Sequence, residues 1–146
     1  MNHFWARITK ALAVAGGAIM GILGGWSPLL TALIVFMSLD YLTGLVAAAR
    51  GKSLKTENGY ISSRAGFDGL IRKAGIMVVV FMGALLDQAL DGESAIFMSA
   101  SVCYFIANEG ISILENLTLL GVKIPEALRA ALELMNRKSQ GTSQDK

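Results

Sequence analysis

The stretch that most constrains this chain is an apolar run that opens at Ala95 and closes in Tyr104-Phe105-Ile106-Ala107-Asn108-Glu109-Gly110-Ile111-Ser112-Ile113-Leu114-Glu115-Asn116. It is long enough to cross a bilayer as a helix, yet its second half carries two carboxylates and two carboxamides. At 3.6 residues per turn, Asn108, Ser112 and Glu115 fall on one stripe, and Glu109, Ser112 and Asn116 on an adjoining one. A spanning helix cannot leave such a seam in lipid. The seam must face another helix, another copy of the chain, or water. It serves either as polar glue inside a helical bundle or as the lining or gate of an aqueous path.

Composition agrees with a membrane protein. Of 146 residues 53% are hydrophobic and 16% charged, against about 25% charged in an ordinary soluble domain. The mean hydropathy is +0.53. A net charge of +2 is too small to read as a nucleic-acid footprint. The single cysteine, Cys103, lies inside an apolar run and acts as a small packed hydrophobe. The lone His3 has no partner at metal-ligand spacing. No nucleophile–base pair, metal-ligand cluster or phosphate loop is visible, so neither enzymatic activity nor a cofactor is expected.

Taken in order, the chain predicts an all-α integral membrane protein with four spans, at about residues 8–26, 28–49, 73–90 and 94–116; three spans are the alternative. Phe4, Trp5, Arg7 and Lys10 read as an interfacial anchor. The uncharged stretch Ala11–Gly25 gives about 22 Å, short of a hydrocarbon core of about 30 Å, so this first span is marginal. Within it Ala13, Gly17, Gly21 and Gly25 recur every four residues, a small-residue face suited to close helix packing within the chain or between copies. Pro28 suits the first turn of the second helix, which runs to Ala49. Arg50 to Lys73 is a polar interlude with Glu57-Asn58-Gly59-Tyr60 as a turn-rich tip, and Ala65–Lys73 reads as a short surface segment before the third span. Ser94, after an acidic turn at Asp91-Gly92-Glu93, is the expected N-cap of the fourth helix. Residues 1–120 thus form the membrane domain, residues 121–138 an amphipathic cytoplasmic helix beginning at Pro125, and residues 139–146 a disordered tail.

The thirteen Lys and Arg residues segregate. Two precede the first apolar run, six lie between the second and third, and five follow the fourth, which places both termini in the cytoplasm. Asp40 then lies about 18 Å along the second helix from Pro28, and Glu109 about 21 Å along the fourth from Ala95. A central Asp costs roughly 2.5 to 3.5 kcal/mol on insertion. Asp40, Tyr41, Asn108 and Glu109 are therefore expected to form one polar layer, extended by Ser112, Glu115 and Asn116, with no Lys or Arg at its depth.

Several pieces of the chain, in order, resemble the phage-lysis and toxin-secretion holin family (phage holin family 4) over nearly its whole length. They are Asp40-Tyr41-Leu42-Thr43-Gly44, then Gly66-Phe67-Asp68-Gly69-Leu70-Ile71-Arg72-Lys73, Leu86-Asp87, Phe105 through Asn116, and Leu120-Gly121-Val122-Lys123-Ile124-Pro125. Lys123 departs from the family pattern, and Lys55–Ser63 has the look of an insertion in a loop remote from the seam. The resemblance implies a holin. Such a protein accumulates in the bacterial inner membrane and assembles there into lesions that release a cell-wall-degrading endolysin, or a toxin, or collapse the membrane potential. Its partners would be further copies of itself, the lipid bilayer and the released cargo. Two other readings stand beside it. One is a small ion or proton channel or transporter subunit using Asp40 and Glu109. The other is a membrane adaptor binding a partner through Pro125–Arg137.

Overall fold

In the computed structural model, which describes residues 2–56, 58–90 and 94–140, five helices follow one another: α1 (Asn2–Ile22), α2 (Pro28–Ala49), α3 (Ser63–Ala89), α4 (Ile96–Leu119) and α5 (Glu126–Gln140). Among the described residues α2, α3 and α4 are long and apolar enough to cross a membrane. The expected span at about residues 8–26 is not among them. Its helix begins at Asn2, carries Arg7 and Lys10, and ends at Ile22.

The helix ends follow from local chemistry. Ser27 caps α2, its side-chain oxygen accepting from the Leu30 amide at 3.2 Å, with Pro28 in the first helical turn. At the end of α1, Gly24 takes φ +70, its amide donates to the Gly21 carbonyl, and the Gly25 amide donates to Met20 O at 2.8 Å. These paired bonds close the helix as a Schellman motif. Gly25 therefore lies in a turn, off the helical face expected to continue from Ala13, Gly17 and Gly21. At the end of α4, Gly121 (φ +90) makes the same closure, with the Val122 amide donating to Leu117 O.

Two boundaries differ from expectation. Ala65–Lys73 is not a separate surface segment but the first turns of α3, capped by Ser62. The N-terminus of α4 is capped by Asp87 of α3 instead of Ser94. Its two carboxylate oxygens accept from the Phe97 and Met98 amides, each at 2.9 Å. A carboxylate held at unsatisfied helix N–H groups also complements the helix dipole. The expected turn Asp91-Gly92-Glu93, Glu57 in the loop tip and residues 141–146 of the expected tail lie outside the described residues. Ser139 and Gln140, placed in that tail, belong to α5.

The contacts fix the register. Among the described residues α4 is the hub, packing against α2, α3 and α5, whereas α2 and α3 barely touch and α1 meets only α3 among the helices. Asp40 lies beside Ser112 and Asn116, and Phe36 faces Gly110, so α2 and α4 run parallel. Lys73 reaches Glu109 while Asp87 reaches Phe97, so α3 runs antiparallel to both. Leu30, Leu33 and Met37 of α2, Ile76, Val80 and Ala84 of α3, and Met98, Val102 and Ile106 of α4 form the apolar core. At Gly83 the backbones of α3 and α4 meet so closely that a Cβ would stand 2.9 Å from Phe97 O. After Gly121 the chain reverses, and α5 lies along the last turns of α4. Leu132 is buried over Gly110, while Leu128, from the same expected apolar face, is exposed.

Candidate functional site: a charged layer beneath the core

Each of the three apolar helices carries its core stripe on into polar residues. On α2 the stripe Leu30, Leu33, Met37 continues to Asp40. On α4, Met98, Val102 and Ile106 continue to Glu109, Ser112 and Asn116. On α3, read backward, Ala84, Val80 and Ile76 continue to Lys73. The spacings of three and four keep each series on one helical face. The polar residues consequently converge just as the apolar ones do, one to three turns further along.

Their geometry is centred on Lys73. Its ammonium donates to Asp40 Oδ2 at 2.8 Å and to Glu109 Oε2, bridging α2 and α4 from α3. The side chains of Lys73, Asp40 and Glu109 retain only 12%, 8% and 7% exposure. The other Asp40 oxygen accepts from Ser112 Oγ at 2.5 Å, Asn116 Nδ2 at 3.2 Å and Lys55 Nζ at 3.4 Å. Lys55 also donates to Ser112 Oγ, and Asn116 to Thr43 Oγ1. Two lysines thus balance two carboxylates. A buried ion group is tolerable when its charges cancel and its acceptors are paired; here the charges cancel and both Asp40 oxygens are paired.

The expectation that no Lys or Arg reaches this depth is overturned. Because α3 starts at Ser63, Lys73 stands three turns inside a helix rather than at its threshold. Lys55 comes from the loop segment Lys55–Ser63, which was expected to stay clear of the seam and instead closes over it. The structure brings Asp40, Glu109, Ser112 and Asn116 together. Tyr41 stands beside them with its ring over Gly66 and Gly69 of α3, where a Cβ would come within 3.6 to 3.8 Å of it. Asn108 and Glu115 do not join. Both are exposed on the outer side of α4, so the two stripes of that helix have opposite fates. Among the described residues the glycines of this α1 face are also unpartnered, with nothing beyond the local helix backbone within 4 Å of a Cβ built at Gly17 or Gly21. Among the described residues no three His, Cys, Asp or Glu side chains group as a metal site.

Fold and site together define a helical membrane protein with a neutralised charged layer across three helices. The chain belongs to the bacteriophage holin family, whose model matches residues 17–137. It is 41% identical to an uncharacterized 14.9 kDa protein of Clostridium perfringens, over 94% of this chain and 99% of that one. It is 37% identical to an uncharacterized protein of Halalkalibacterium halodurans, over 89% of this chain and 94% of the relative. A protein of Bacillus phage phi105 named "Probable holin" is 32% identical over 77% of this chain and 78% of its own length. No solved structure matches the chain significantly.

Proposed function

We propose that this protein is a holin that self-associates in the bacterial cytoplasmic membrane and opens lesions through which an endolysin, or a toxin, leaves the cell. Beyond family membership, the observation that carries this reading is Asn108. It is exposed on the outer face of α4, eleven residues or about 16 Å from the helix end at Leu119, with Glu115 two turns further on the same face. A carboxamide at that depth is costly against lipid, and a second copy or a water-filled lumen relieves the cost. The protomer keeps its ionised groups sheltered around Lys73 and offers a separate, uncharged-to-acidic stripe to its neighbours. The bare faces of Ala13, Gly17 and Gly21 on α1 supply a second self-association surface, with α1 as the marginal fourth span. Both termini and α5 then lie on the cytoplasmic side, the placement that the distribution of Lys and Arg favours.

The channel reading draws less support, because Asp40 and Glu109 are tied to one ammonium rather than lining a path for cations. Inducing the protein alone in a bacterium, and following release of a folded cytoplasmic enzyme together with potassium, separates the two. A sudden, delayed release of both is the expected outcome. Potassium loss with the enzyme retained would reduce the assignment to a small pore, and neither signal at strong expression would overturn it.

A further inference from the structure

Between α2, α3 and the loop that joins them lies a cavity of about 700 Å³, on the opposite side of Asp40 from the apolar core. We propose that it is a binding site for the phosphate of an anionic phospholipid. Four cationic side chains line it: Lys55, Arg64, Arg72 and Lys73. Lys55 and Lys73 are matched by Asp40 and Glu109. Arg64 and Arg72 are not matched in this way. Asp68 stands one turn from each on α3, yet among the described residues neither guanidinium lies within 4.0 Å of a carboxylate. Two guanidiniums on one helix face suit phosphate oxygens better than ammonium groups do, since each presents a planar fork of donors.

Two further observations point to an occupant. The one buried side-chain oxygen without a hydrogen-bond partner among the described residues, Thr56 Oγ1, belongs to the wall of this cavity. A phosphate oxygen in the cavity would give that hydroxyl an acceptor. The cavity also exists for a structural reason. α2 and α3 each pack on α4 but hardly on each other, and where they splay the facing positions are Gly44, Gly66 and Gly69.

The setting favours a lipid over a free anion. The cleft lies where α2 ends and α3 begins, at the level of a headgroup if these helices span the bilayer. Leu45, Ala48 and Ile61 give it apolar wall. Basic pockets between spanning helices on the cytoplasmic side are suited to acidic headgroups. The proposal concerns ligand binding by the protomer, and it holds or fails whether or not the protein opens lesions.

The test uses the full-length chain in a non-ionic detergent, titrated separately with phosphatidylglycerol, phosphatidylcholine and inorganic phosphate, with the thermal midpoint as readout. Phosphatidylglycerol is expected to raise the midpoint at concentrations where the other two do not. In the double variant Arg64→Gln/Arg72→Gln the phosphatidylglycerol titration shifts to about 30-fold higher concentration, as the loss of two such contacts implies. Both side chains are exposed, so the bundle stays folded, which circular dichroism checks. Arg7→Gln/Lys10→Gln removes the same charge from α1 and leaves the titration in place. Equal weakening by both double variants would overturn the site in favour of diffuse charge attraction. Inorganic phosphate matching the lipid would overturn the lipid assignment, and no response to phosphatidylglycerol would overturn the proposal as a whole.

Discussion

Lys73 and Asp40, thirty-three positions apart in the chain, meet as a buried ion pair with Nζ 2.8 Å from Oδ2, and the same ammonium holds Glu109. One lysine thereby ties α2 to α4 from α3. Removing it leaves two buried carboxylates with only the half-exposed Lys55 to oppose them. Lys73→Met is expected to destabilise the bundle by about 3 to 5 kcal/mol, the usual cost of breaking a buried pair from one side. Adding Asp40→Asn and Glu109→Gln to Lys73→Met removes the uncompensated charge and should recover most of the loss. Thermal unfolding in one detergent checks both, and a triple variant no more stable than Lys73→Met would show that the cluster is not held by charge balance.

Asp87 makes a different kind of bond across the same helix pair. Its carboxylate receives two backbone amides at the start of α4, and it is buried there. Asp87→Ala leaves both N–H groups unmet. The expected cost is about 1 to 2 kcal/mol, the upper range for a lost helix cap. Hydrogen exchange gives a local reading of the same loss: the amides of Phe97 and Met98 should exchange faster, while those near Glu109 are unaffected.

Much of this arrangement is legible in sequence, and the parts that are not have physical causes. The α2 boundaries follow from Ser27, Pro28 and the glycine after Arg50. The polar seam of α4 is visible as periodicity, but periodicity leaves two adjoining stripes, and only packing decides that Glu109, Ser112 and Asn116 turn inward while Asn108 and Glu115 turn out. Lys73 is hidden by its neighbours. With Arg64 and Arg72 beside it, it reads as one more charge of a polar loop. A signal was nevertheless present, because the stripe Asp87, Ala84, Val80, Ile76 steps by three and four residues and lands next on Lys73. Lys55 offers no comparable signal. It lies in a loop, its placement depends on how Lys52 to Ser62 folds back, and no local pattern encodes that.

Glycines on α3 divide sharply by surroundings. A Cβ at Gly83 would meet Phe97 O at 2.9 Å and Met98 Cα at 3.0 Å, both backbone atoms of a facing helix. Gly83→Ala is expected to cost about 1 to 3 kcal/mol by forcing α3 and α4 apart. At Gly75 no atom lies within 4 Å of a built Cβ. Gly75→Ala should be stabilising by about 0.4 to 1 kcal/mol through reduced freedom of the unfolded chain. The two variants differ by the same single methyl, so opposite shifts of the thermal midpoint isolate the interhelical contact.

The two asparagines of α4 separate folding from assembly. Asn116 is buried and donates to Asp40 Oδ1 and Thr43 Oγ1, whereas Asn108 is exposed and faces away from its own protomer. Asn116→Leu withdraws a donor from the charged layer and should destabilise the protomer by about 1 to 3 kcal/mol, the penalty for leaving a buried acceptor short of a partner. Asn108→Leu removes nothing from the protomer and exchanges a carboxamide for an apolar group on an exposed surface. It should leave the thermal midpoint unchanged or raise it, and yet abolish release of a folded cytoplasmic enzyme while the protein still accumulates in the membrane. Crosslinking should then show fewer oligomers for Asn108→Leu than for the parent chain. If Asn108→Leu released the enzyme with unchanged timing and extent, the exposed stripe would have no part in the lesion, and the self-association surface would have to be sought on α1.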